Sequence, residues 1–148
     1  MEVRTTEWPG LIGMGYEGQD IDAFVERAVQ ADVALIADVR LTPVSRKRGF
    51  SKNALATVLR SAGIEYLHFP ELGNPKVNRA GFVGTSSESR AARARYGRIL
   101  RSESASAAID HLAILARDRR VAVLCFEADE ARCHRELVLL AVRRRLGL

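Results

Sequence analysis

A chain of 148 residues, 47% hydrophobic and 28% charged, is long enough for one full core and too apolar to be disordered. Its formal net charge of +5 favours anionic partners only weakly, because the arginines are spread along the chain. Two cysteines make no disulfide framework, no apolar run approaches the roughly 20 residues of a membrane span, and the N-terminal MEVRTTEWPG holds no signal-peptide core, so the expected location is cytoplasmic.

Leu11 to Tyr16 reads as a first strand, with Gly13 and Gly15 where backbone or ligand must come close. Asp20 suits a helix N-cap, and Ile21, Phe24, Val25, Ala28 and Val29 follow with amphipathic spacing. Val33 to Ala37 is a second apolar run, ending in Asp38-Val39-Arg40. A basic loop, Leu41 to Phe50, leads to Ser51, a candidate cap for a helix with Leu55, Val58, Leu59 and Ala62 inward. Gly63 ends that helix, and Ile64 to Phe69 forms a third strand carrying His68. Pro70 to Pro75 is a loop, and disorder is expected to extend from Lys76 to Ser87.

Arg90 to Ser104 reads as an arginine-rich helix with Ala92, Tyr96, Ile99 and Leu100 on its inner face. Ala107 to Arg117 is another helix, with Leu112 and Leu115 inward. Val121 to Leu124 has the length and branching of a buried strand. Cys125 and Glu127 sit at its end, a polar loop follows, and Cys133-His134-Arg135 opens a final helical segment through Val142. The alternation predicts an α/β fold: a single three-layer domain, with a mainly parallel sheet of about four strands flanked by helices.

Parallel strands share one C-terminal edge, where ligands bind. That edge gathers Tyr16, Asp38, Arg40, His68, Cys125 and Glu127, and the last helix brings Cys133, His134 and Arg135 to it. Each has a bland alternative. Asp38 could pair structurally with Arg40, His68 could be a satisfied core histidine, and Cys125 could be a small buried hydrophobe. His111 has no assigned role.

Four stretches carry a resemblance to a known family: Gly15-Tyr16-Glu17-Gly18; Asp38-Val39-Arg40 with Pro43, Ser45-Arg46 and Gly49-Phe50-Ser51; Tyr66 to Pro75 with Arg79; and Leu124 to Ala128 followed by Cys133-His134-Arg135. Together they resemble the bacterial and archaeal domain of unknown function family numbered 488. The resemblance implies a compact α/β domain and supplies neither reaction nor substrate.

Three chemistries suit the gathered residues. In the first, Arg40, Arg46 and Arg135 offer fork-shaped donors to a phosphate-bearing nucleotide or nucleic-acid end, with Tyr16, Asp38 and His68 beside them. Cys125 or Cys133 would then be a nucleophile, His134 or His68 its base, and Glu127 or Asp38 the orienting group. A phosphatase-like cysteine loop is disfavoured, because the loop after Cys125 holds Glu127, Asp129 and Glu130 and no glycine. In the second, Cys125, Cys133, His134 and His68 are zinc-ligand types; their spacing lacks a tight pair, and adjacent Cys133 and His134 on a helix would not both face one ion. No metal or other cofactor is therefore assigned. In the third, Arg46-Lys47-Arg48 and the arginines from Arg90 to Arg101 make a non-enzymatic nucleic-acid module, against which the low aromatic content (6%) argues.

Overall fold

The computed structural model describes residues 10–148. The N-terminal stretch on which the signal-peptide expectation rests lies almost wholly outside them. Four strands form one parallel sheet: β1 (Leu11–Gly15), β2 (Leu35–Asp38), β3 (Glu65–His68) and β4 (Val121–Cys125). Their order across the sheet is β1-β4-β2-β3, so the last strand inserts between the first two. In register, Gly15 lies beside Cys125, Asp38 beside Leu124, and His68 beside Asp38.

Helices cover both faces. On one, α1 (Ile21–Gln30) and α2 (Lys52–Ser61) bury Phe24, Ala28, Leu55 and Leu59 against Met14, Ile36, Ala122 and Leu124. On the other, α4 (Ser86–Leu100), α5 (Glu103–Asp118) and α6 (Arg135–Arg145) pack on Leu35, Ala37, Val121, Val123 and Cys125. β4 is central and buried along its whole length, and its side chains alternate between these two cores. The chain leaves β2 toward the α1–α2 face and leaves β4 toward the α6 face. The ends of these neighbouring strands therefore enclose a crevice, the usual ligand position in such sheets.

Local chemistry explains several helix ends. The Asp20 carboxylate accepts from the Ala23 amide at 2.8 Å. Gly63 adopts φ +79° just beyond α2. Ser51 is at the N-cap of α2, but its hydroxyl does not bond the helix; it accepts from Ser45 N at 3.0 Å and donates to Ser45 O at 3.3 Å. That exchange closes the basic loop instead.

The expected disorder from Lys76 to Ser87 is corrected by two helices, α3 (Lys76–Phe82) and the start of α4. Asn78 pins α3: its amide donates to Asn74 Oδ1 and Ala92 O, both at 3.0 Å, and accepts from Arg95 at 2.7 Å. Gly81 permits this approach, since a Cβ there would lie 2.7 Å from the Ala92 Cβ. Thr85 and Glu88 then form a reciprocal capping box that starts α4. No helix among the described residues is long and apolar enough to cross a membrane.

Candidate functional site

β4 delivers Cys125 to the C-terminal edge, and the loop after it folds back over β1. Gly15 makes that possible. A Cβ at Gly15 would lie 1.9 Å from the Glu127 carbonyl oxygen, and one at Gly13 would lie 1.8 Å from Glu130 Oε2. The amides of Tyr16 and Glu17 both donate to Phe126 O, at 3.1 and 2.9 Å. Arg135 closes the loop from the other side. Its guanidinium is buried and donates to Glu127 O at 2.5 Å and Ala128 O at 3.1 Å, with Glu130 3.7 Å away. Arg135 thus clamps the loop that carries Glu127.

Cys125, Cys133 and His134 meet inside this frame, all buried. Cys133 is not helical: at φ −136° and ψ 145° it is extended, and α6 begins only at Arg135. Adjacent Cys133 and His134 therefore turn toward one point, where two neighbouring residues of a helix would diverge. His134 Nε2 lies 2.9 Å from the Val39 carbonyl, which can only accept, so that nitrogen carries a proton. In the neutral ring, Nδ1 then presents a lone pair. It lies 3.7 Å from Cys125 Sγ and 3.7 Å from Cys133 Sγ. The Tyr96 ring packs edge-on against the imidazole, with centroids 5.1 Å apart, and its hydroxyl is held by Leu72 O.

The two thiols are driven apart in acidity. Burial opposes a Cys133 thiolate, but hydrogen bonds from Cys125, from His134 Nδ1 when the ring is protonated, and from the Arg135 amide (3.5 Å) outweigh it and lower the Cys133 pKa. The hydrogen bond to Cys133, burial and the nearby negative charge raise that of Cys125. Burial, then Cys133, raises the Glu127 carboxyl, whose Oε1 is 3.6 Å from Cys125 Sγ.

Beside this group lies a second buried network. Asp38 is fully buried and accepts from Arg40 Nε at 2.9 Å, Arg40 Nη2 at 2.7 Å, the Arg40 amide at 3.1 Å and the Tyr66 hydroxyl. Arg40 Nη1 donates to Tyr16 Oη at 3.1 Å and Phe50 O at 2.7 Å. Four of the five N–H groups of a guanidinium are thereby engaged inside the protein. Burial works against the Arg40 charge, yet Asp38 and Tyr16 outweigh it and raise its pKa. Burial, and then the same carboxylate, raises that of Tyr66. His68 Nε2 donates to Arg40 O at 2.8 Å.

An open cleft of about 420 Å³ joins the two networks. Tyr16, Arg40, Cys125, Glu127 and His134 border it; Asp38 stands behind Arg40, and Cys133 behind Cys125 and His134. Arg46, His68 and Arg135 do not line it. Among the residues that line it without a site role assigned from sequence are Asn74, Lys76 and Arg79. Asn74 and Arg79 lie in or beside the stretch that carries the family resemblance, which was the available signal. Lys76 lies in the segment expected to be disordered. Lys76 and Arg79 are exposed, and neither has an ion-pair partner among the described residues.

Fold and site together define a doubly wound α/β protein with a buried cysteine–histidine group at the crevice where the chain changes faces. The chain matches the family described as Domain of unknown function DUF488 over residues 20–142, and it belongs to that family. No curated protein matches it. No solved structure matches it either.

Proposed function

We propose that the cleft binds a small phosphate-bearing molecule of nucleotide type. The observation that carries this reading is the pair of exposed cations at its rim, Lys76 and Arg79, which have no ion-pair partner among the described residues. Both bear on the cleft that Cys125 and His134 floor, and Arg79 has the fork geometry suited to phosphate oxygens. Among the described residues, Arg40 keeps one N–H without a partner, and the Tyr16 hydroxyl, which accepts from Arg40, donates to no other group. Exposed Phe126, Val44 and Leu41 give the same cleft an apolar wall for a base or sugar. The groups that would act on a molecule held there are Cys125, Glu127 and His134, with Cys133 behind them. A nucleic-acid module is less well supported, because the arginine-rich helix is partly engaged: Arg93 pairs with Glu136 and Arg95 donates to Asn78.

The test is a thermal-shift series with inorganic phosphate and nucleoside mono-, di- and triphosphates, comparing wild type with Lys76→Ala/Arg79→Ala. A ligand at a hundred times its dissociation constant adds about 2.7 kcal/mol, which raises Tm by roughly 5–10 °C for a domain of this size. The shift should vanish in the double variant and weaken with added salt. An equal shift in both proteins would remove these cations from the binding site and refute the reading.

A further inference from the structure

We propose that Cys125, Cys133 and His134 form a zinc site whose fourth coordination position opens onto the cleft. The inference does not rest on the nucleotide reading.

Tetrahedral zinc, with bonds of roughly 2.3 Å to sulfur and 2.0–2.1 Å to nitrogen, places its ligand atoms about 3.6–3.8 Å apart. His134 Nδ1 is 3.7 Å from each cysteine sulfur, and all three ligand atoms lie within 4.8 Å of one another. A metal-bound histidine usually donates its second N–H to a carbonyl or carboxylate, which fixes the ring and its tautomer. His134 Nε2 donates to Val39 O at 2.9 Å, leaving Nδ1 aimed between the two sulfurs.

Cys125 ends the central strand, Cys133 stands where the loop meets α6, and the Arg135 clamp fixes the loop between them. The Tyr96 ring holds the imidazole from the side. These restraints keep three donors converged without a covalent link, and both cysteines are free.

The donor set selects the metal. Two thiolates and an imidazole favour zinc over the hard cations magnesium and calcium. On binding, the thiols release their protons to solvent and the two thiolates balance the dication. Three protein ligands leave one tetrahedral position. Cys125, His134 and Glu127 all border the cleft, so that position faces it, and water or a ligand oxygen completes the shell. Glu127, whose Oε1 is 3.6 Å from Cys125 Sγ, borders the cleft and is placed to act on what binds there.

The experiment uses the full chain, reduced with a non-chelating phosphine. Cobalt(II) serves as the coloured probe, followed by zinc competition. The expected result is one cobalt per chain, with thiolate charge-transfer absorption and tetrahedral visible bands, both abolished by one equivalent of zinc. Cys125→Ser and Cys133→Ser should each weaken zinc binding by more than the roughly 10- to 100-fold that loss of an outer partner costs. His134→Gln should weaken it likewise while leaving the charge-transfer band weaker but present. Wild-type protein that shows no thiolate band at equimolar cobalt overturns the proposal, whatever the variants do. So does zinc affinity that survives either cysteine substitution. Nucleotide shifts are measured separately on metal-free protein, so a failure of either reading leaves the other intact.

Discussion

Asp38→Asn tests whether the carboxylate behind the cleft is what holds Arg40 in place. The change keeps the shape and removes the charge. Asp38 now accepts from Arg40 Nε, Arg40 Nη2, the Arg40 amide and the Tyr66 hydroxyl. An asparagine can offer one oxygen to these donors, and its NH₂ group must face at least one of them. The Arg40 guanidinium, 7% exposed as a residue, loses its counter-charge. Breaking a buried pair from one side costs about 3–5 kcal/mol. Arg40 borders an open cleft, so partial hydration favours the lower end, about 3 kcal/mol. For a domain of this size that lowers Tm by roughly 6–12 °C. Urea unfolding followed by far-ultraviolet circular dichroism measures the loss directly. The double variant Asp38→Asn/Arg40→Met should regain part of it, because no unpaired charge remains. A loss below about 1 kcal/mol for Asp38→Asn, the value of an exposed ion pair, would refute the role given to this network.

Gly15→Ala should destabilise by about 1–3 kcal/mol, since its Cβ would meet the Glu127 carbonyl and main chain must move; chemical denaturation reads this. Gly97→Ala, in α4, should do the opposite. Its Cβ would meet only an arginine tip at 3.8 Å, and alanine in a helix gains about 0.5–1 kcal/mol over glycine, measurable by the same method. Tyr66 gives a pH dependence. Its folded pKa is raised, by burial and then Asp38, so the folded state keeps its proton where the unfolded state loses it. Stability from this group is complete below the ordinary tyrosine value of 10.0 and declines as pH rises through it. Tyr66→Phe should therefore flatten the alkaline limb of the stability profile relative to wild type; parallel limbs would contradict the assignment.

The order of strands and helices was legible because each buried element carries its period openly. Phe24 and Ala28, or Leu55 and Leu59, mark one helix face, and Val121 to Leu124 is a continuous apolar run. Lys76 to Ser87 was not legible. It holds few apolar residues, and α3 is stabilised by Asn78, whose partners Asn74, Ala92 and Arg95 come from the segments on either side. The Thr85-x-x-Glu88 capping box was present as a local sign of the next helix.

Gathering Tyr16, Arg40, Cys125, Glu127 and His134 at one edge follows from parallel topology, which hydrophobic period and alternation already imply. Which way each side chain turns does not follow from them. Arg40 and Arg135 are the same residue type at the same edge, yet one borders the cleft and the other clamps a loop. Their difference depends on where Asp38 and the Glu127 carbonyl come to rest. Likewise, adjacent Cys133 and His134 converge only because the chain stays extended for one residue before α6. Period and composition report on burial, a property averaged over an element. Hydrogen-bond partners and metal-like distances depend on single backbone angles and on residues brought together from distant parts of the chain, and those exist only once the sheet has assembled.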